Sequence, residues 1–223
     1  MLARVFDFVL DLFYPPKCAF CRSVLHAGEV DGFCAECADS LPYIQDGDCT
    51  KQGDHFSACI SALYYTGTVR DSIHRYKFEG AALYCDAYGA ILSDLIQSEL
   101  SGRFDIITWV PVSRKRLKVR GYDQARLLAE AISQRLELKS VPMLQKHVDV
   151  KAQSSTTSAA ERWTNISDVY LPMDEVAFSG LRILLIDDVM TTGATLSECA
   201  KTLLLAGAAD VICATIARTP LAS

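Results

Sequence analysis

The residues best suited to chemistry are Asp187-Asp188-Val189-Met190-Thr191-Thr192-Gly193-Ala194-Thr195. Four aliphatic residues, Ile183 to Ile186, precede them and read as a strand buried on both faces. Leu196, Cys199, Ala200, Leu203 and Leu204 follow at helical spacing. A strand, a polar turn and a helix start together make an anion site, because the first N–H groups of a helix are unsatisfied and its dipole is positive there. Gly193 lets the backbone approach closely, and the hydroxyls of Thr191, Thr192 and Thr195 add donors. Carboxylates repel a phosphate. The combination is coherent if a ligand offers hydroxyls to Asp187 and Asp188 and its phosphate lies one loop further on. Ribose 5-phosphate has that layout, and a divalent metal could also mediate. The competing reading is an ordinary strand–helix turn with two solvated aspartates.

A second constellation is Cys18-x-x-Cys21, twelve intervening residues, then Cys34-x-x-Cys37. Each pair supplies two thiolates from one tight turn, and two turns close a tetrahedron around zinc. Four thiolates leave no open position, so such a metal is structural and supplies folding free energy to a segment too small for its own core. Buried or disulfide-bonded cysteines are the alternative. Cys49, His55 and Cys59 lack the paired spacing and read as non-ligands.

A third is the basic run Arg114, Lys115, Arg116, Lys118 and Arg120, five cations in an otherwise acidic chain. It reads either as a solvated face or as a mobile loop that brings cations onto a polyanion. It follows the turn Pro111-Val112-Ser113, at the carboxyl end of the strand Ile106 to Val110, where open α/β sheets place ligands.

These groups need elements to position them. The strands Ala58–Tyr65, 106–110, 183–186 and 211–217 alternate with helical patterns at 69–78, 83–100, 127–136 and 196–205, which implies a parallel sheet covered on both sides. A short strand and a polar loop are expected at 141–158, and a helical turn at 161–166. Residues 1–13 form an apolar stripe at helical spacing interrupted by Arg4, Asp7 and Asp11, too short and charged to span a bilayer or serve as an export signal. The expected location is therefore cytoplasmic and reducing, so nine cysteines are not a disulfide framework. The net charge of −5 argues against a wholesale nucleic-acid coat but permits a local basic patch. Two units are expected, an N-terminal helix and finger over 1–57 and an α/β domain over 58–223.

The 187–195 stretch resembles the phosphoribosyl pyrophosphate (PRPP) motif of type I phosphoribosyltransferases. The whole chain resembles the ComF family, which includes ComFC and GntX-like proteins. The resemblance rests on the paired cysteines behind an apolar start and Pro15-Pro16, on Tyr76-Lys77-Phe78, and on Val110-Pro111-Val112-Ser113. Arg116 through Gln124-Ala125, Gln153, Arg162, Asn165 and Ile186 through Thr195 complete it. It implies a type I phosphoribosyltransferase fold with a small N-terminal four-cysteine zinc finger, the ligands being Cys18, Cys21, Cys34 and Cys37. It implies that Asp187 and Asp188 contact the ribose hydroxyls while Val189, Met190, Thr191, Thr192, Gly193, Ala194 and Thr195 wrap the 5′-phosphate. Pro111, Val112, Ser113 and Arg114 would form a pyrophosphate loop, and the stretch Lys115 to Arg120, with Arg116, Lys118 and Arg120, a flexible loop closing over the site. PRPP would bind with Mg²⁺ bridging its pyrophosphate and ribose oxygens, for pentosyl transfer to a nitrogen acceptor. The same resemblance implies a link to DNA uptake in natural transformation. That leaves two rivals: a non-catalytic binder of single-stranded DNA that meets competence and recombination proteins, and a PRPP-responsive regulator.

Overall fold

The computed structural model describes residues 15–26, 28–29, 31–45, 50–147, 169–173 and 179–220. The stripe at 1–13, Cys49, the polar run 153–158 and the expected turn at 161–166 lie outside them. The finger contributes helix α1 (Ala35–Ser40). The α/β part runs β1 (Thr50–Lys51), β2 (Ala58–Tyr64), α2 (Gly67–Phe78), α3 (Tyr84–Leu100), β3 (Ile106–Trp109), α4 (Arg114–Arg120) and α5 (Gln124–Leu136). It continues through β4 (Leu144–Lys146), β5 (Tyr170–Pro172), β6 (Arg182–Met190), α6 (Ala194–Leu205) and β7 (Asp210–Arg218).

Five strands form one sheet in the order β1-β2-β7-β6-β3, with β2, β7, β6 and β3 mutually parallel and β1 antiparallel at the edge. β4 and β5 pair antiparallel as a separate ribbon. The aliphatic run of β6 is buried on both faces, because a strand sends successive side chains to opposite sides. Leu184 and Ile186 join the core beneath α3 and α5, while Ile183 and Leu185 join the core beneath α6. α3 and α5 approach so closely that a Cβ on Gly89 would sit 2.8 Å from Ala131 Cβ.

β6 is longer than its aliphatic run. It carries through both aspartates to Met190, because β7 keeps offering ladder partners: Asp187 pairs Thr215, Val189 pairs Ala217, and Met190 pairs Arg218. The basic run also differs from the expected loop. Arg114–Arg120 is helix α4, capped by Ser113, whose side chain accepts from Arg116 N–H, and ended by Gly121 in the left-handed conformation.

The finger packs onto the α/β part. Phe20 sits edge-on to Phe33 and against Tyr88, with ring centroids 6.2 and 5.8 Å apart. Ser72 Oγ donates to the Ala19 carbonyl at 2.6 Å, and Arg75 Nη2 donates to the carbonyls of Ala19 and Phe20 at 3.1 and 2.7 Å.

Candidate functional site

The strand period decides where the two acids go. Asp187 is half-buried on the side of Tyr170 and Cys199, and Asp188 is buried on the side of Tyr76, Tyr88 and Arg120. They meet through the backbone, where Asp188 N–H donates to Asp187 Oδ1 at 2.8 Å. Burial pushes the Asp187 carboxyl up to about 8, and the neighbouring Asp188 charge adds to the shift. Asp188 is engaged by a cation: Lys77 Nζ lies 2.6 Å from its Oδ1.

Helix α2 explains how Lys77 arrives there. Successive helical side chains turn by about 100°, so Arg75, Tyr76 and Lys77 face three directions. Arg75 ties down the finger. Tyr76 is wholly buried, edge-on to Tyr88 at 5.2 Å, and its hydroxyl donates to the Gln124 carbonyl at 2.8 Å. The Tyr122 hydroxyl in turn donates to the Tyr76 carbonyl. With its neighbour locked, Lys77 projects onto the end of β6.

The turn expected to wrap a phosphate runs from Thr191 into α6. Gly193 holds φ +81° immediately before the helix, a conformation costly for a side chain-bearing residue. The N–H groups of the first α6 turn have no partner within the helix. Thr191, Thr192 and Thr195 are exposed around them.

Asp123 organises the opposite wall. Its Oδ1 caps α5 by accepting from Arg126 N–H at 3.1 Å, and its Oδ2 accepts from Val112 N–H at 3.1 Å, which fixes the turn after β3. Its burial raises its pKa. No residue of α4 is buried, and Arg116 and Arg120, one turn apart, both face the cavity. Arg120 lies over the exposed Phe78 ring, 4.8 Å from its centroid.

One cavity of about 290 Å³ collects these groups. Of the residues expected from the sequence, Pro111, Val112, Arg116, Arg120, Asp187, Asp188, Val189, Thr191 and Thr195 line it. Met190, Thr192, Gly193 and Ala194 line a neighbouring cavity of about 720 Å³ on the far side of the same turn, which Thr191 also borders. Ser113 and Arg114 border a smaller hollow with Lys146, and Lys118 is exposed on α4. Sequence reasoning left out Tyr65, Lys77, Val110, Gln124, Ala125, Lys146 and Tyr170, which complete the lining. Lys77 and Gln124 fall within motifs used for the resemblance; that was the available signal. Gln124 is 1 % exposed, and its side-chain amide has no protein partner.

The four paired cysteines form a second centre. Their Sγ atoms lie within 4.8 Å of one another, with Cys21 and Cys34 at 3.7 Å. A tetrahedron with Zn–S bonds of about 2.3 Å has edges of about 3.8 Å, so the quartet fits a structural zinc. Phe20 N–H and Cys34 N–H point at Cys18 Sγ, at 3.4 and 3.5 Å, as N–H groups do around a thiolate ligand. Cys59 sits instead in the core within β2, and His55 Nδ1 is bonded to Ser197 Oγ at 3.0 Å. Among the described residues no other group of three or more metal-type side chains converges, and no helix is long and apolar enough to cross a membrane.

The arrangement defines a type I phosphoribosyltransferase fold carrying a cysteine finger. The phosphoribosyl transferase domain family matches residues 123–221, and the double zinc ribbon domain family matches residues 9–67. Competence protein F of Haemophilus influenzae is 27% identical over 219 residues, covering 89% of this chain and 95% of that protein. Competence protein ComFC of Bacillus subtilis is 26% identical over 191 residues, 85% and 74% of the two chains. DNA utilization protein YhgH of Escherichia coli K12 is 25% identical over 217 residues, 88% and 94%. Among solved structures, adenine phosphoribosyltransferase from Thermoanaerobacter pseudethanolicus aligns with 82% of this chain and 98% of its own, at 18% identity and a TM-score of 0.39. The chain is thus a homologue of the competence proteins F and ComFC, with a phosphoribosyl transferase domain behind an N-terminal double zinc ribbon domain.

Proposed function

We propose that the cavity seats the ribose 5-phosphate moiety, free or within PRPP, and that the domain transfers the phosphoribosyl group to a nitrogen acceptor. The observation that supports this is one small cavity lined at once by Asp187 and Asp188, by the hydroxyl-bearing turn, and by the cations Lys77, Arg116, Arg120 and Lys146. Its volume suits a sugar phosphate and lies at the small end of ligand pockets.

In this reading Asp188 accepts from ribose hydroxyls, while the N–H groups and hydroxyls of Thr191 to Thr195 hold the 5′-phosphate. Arg116 and Arg120 neutralise charge growing on the departing pyrophosphate. The C1′–O bond breaks with its electron pair leaving on pyrophosphate. A C1′–N bond forms from the acceptor's lone pair, and the acceptor proton passes to solvent. Positioning and fixed charge carry the catalysis. Mg²⁺, which the resemblance pairs with PRPP, finds no protein cage: Asp188 is held by Lys77, and Asp187 is pushed toward its neutral form. The cysteine quartet holds zinc as a structural ion.

Calorimetric titration of ribose 5-phosphate and PRPP, with a pyrophosphate-release assay, tests the reading. Asp188→Asn should weaken binding by about ten- to a hundredfold, as loss of charge-assisted hydrogen bonds does. Absence of heat from either sugar phosphate with the wild-type chain refutes it.

A second reading, binding of single-stranded DNA, is favoured by α4. Five cations lie on a helix with no buried residue, beside an exposed Phe78 on which a base can stack. The relatives' names, competence protein and DNA utilization protein, point the same way. Fluorescence anisotropy with an oligonucleotide should show salt-sensitive binding lost in R116A/K118A/R120A; equal binding by that variant refutes it.

A further inference from the structure

Resting on the sugar-phosphate reading, we propose that Lys77 is the resident counter-cation of the seat, so that a pentose phosphate binds without a divalent ion. Four observations converge. Lys77 Nζ is 2.6 Å from Asp188 Oδ1, with only 21% of the lysine side chain and 9% of the aspartate side chain exposed. Both residues line the cavity. Tyr76 is locked on either side, by its own hydroxyl on Gln124 and by the Tyr122 hydroxyl on its carbonyl, so the end of α2 cannot easily swing Lys77 away. Among the described residues, no third metal-type ligand joins the two aspartates.

The physical argument follows from charge. The Asp188 carboxylate, the acid beside it and an incoming phosphate dianion crowd negative charge into a partly dehydrated space. Something positive has to stand among them. Mg²⁺ serves that purpose when one or two carboxylates and substrate oxygens are free to take it. Here the position on Asp188 is already filled by an ammonium. A carboxylate has about four lone-pair sites, so Asp188 can keep Lys77 on one oxygen and still accept a ribose hydroxyl on the other. Lys77 thereby holds Asp188 oriented before the ligand arrives. It acts as a positioning residue.

Removing the ammonium should vacate the acid pair and turn it into a cation site. Lys77→Met should therefore bind ribose 5-phosphate about tenfold or more weakly in EDTA, the loss expected of one charge-assisted contact. Added Mg²⁺ should restore much of that loss. Lys77→Arg keeps the charge and should behave as wild type. The experiment is calorimetric titration of ribose 5-phosphate into the three full-length chains, each in EDTA and in excess Mg²⁺, with circular dichroism verifying the fold. Support is a wild-type affinity insensitive to Mg²⁺ together with a Mg²⁺-dependent Lys77→Met. Equal Mg²⁺ dependence in both chains, or equal affinity of both in EDTA, overturns the role of Lys77 and leaves the seat standing. Binding by no chain in either buffer overturns the seat itself, and the counter-cation with it.

Discussion

Asp187→Asn should make the protein more stable, by an amount that depends on pH. Burial and the Asp188 charge move the Asp187 pKa from 3.8 to about 8 in the folded chain. An unfolded aspartate titrates near 3.9. Between those values the folded chain holds a proton that the unfolded chain releases, so folding loses stability as pH rises through the window and loses no more above it. Each unit is worth about 1.36 kcal/mol, which caps the stored cost at roughly 6 kcal/mol. Water in the cavity and local relaxation screen much of this, and an effective cost of about 1–3 kcal/mol is the expectation. Asparagine keeps the oxygen that accepts from Asp188 N–H and has no charge to desolvate. For a chain of this size, each kcal/mol moves Tm by about 2–4 °C. The variant should therefore melt roughly 2–12 °C above wild type near pH 8, with the gap closing toward about pH 4. Scanning calorimetry in phosphate-free buffer across that range measures it. A gap that does not change with pH, or a variant that melts lower than wild type near pH 8, refutes the reasoning.

Two further outcomes follow from the sheet and the finger. Ser61 Oγ and Thr215 Oγ1 are 2.7 Å apart between β2 and β7, both wholly buried, and Thr215 also donates to the Ala217 carbonyl at 3.2 Å. Thr215→Val strands the Ser61 hydroxyl and should cost about 1–3 kcal/mol, whereas Ser61→Ala leaves Thr215 its other partner and should cost about 0.5–1.5 kcal/mol. In denaturant titrations the double variant should be no worse than Thr215→Val, and Thr215→Val costing less than Ser61→Ala would contradict the assignment. Cys37→Ser should lower zinc content by elemental analysis from about one ion per chain toward none. Retention of zinc by that variant would show that the quartet is not the ligand set.

How much of this was legible in the chain differs from element to element for physical reasons. Ile183 to Ile186 announced a central strand because burial on both faces leaves no polar position in it, and β6 lies between β7 and β3. The end of that strand was misplaced because aspartate disfavours strands by propensity. What keeps Asp187 to Met190 extended is the ladder to β7, a tertiary effect invisible to local pattern. The basic run misled in the opposite direction. Its charges suggested a loose segment, yet Ser113 and Gly121 flank it as cap and terminator, and those two residues were readable as a helix signature.

The site divides along the same line. Residues contiguous in sequence were found: the acid pair, the threonine turn and the paired cysteines carry their chemistry within a few positions. Lys77 and Lys146 come from distant elements; Lys77 lies in the Tyr76-Lys77-Phe78 motif of the resemblance, but local pattern alone places neither of them at the cavity. Lys77 reaches Asp188 only because β6 sends its second acid toward α2, and because Tyr76 is buried one position before Lys77. A one-residue shift of either period would remove the ion pair. The ion pair at the proposed sugar seat is therefore set jointly by the register of a strand and the rotation of a helix. Arg75, on the same turn, ties that rotation to the backbone of the cysteine finger. Holding the finger closed thus helps hold α2 in the phase that keeps Lys77 on Asp188.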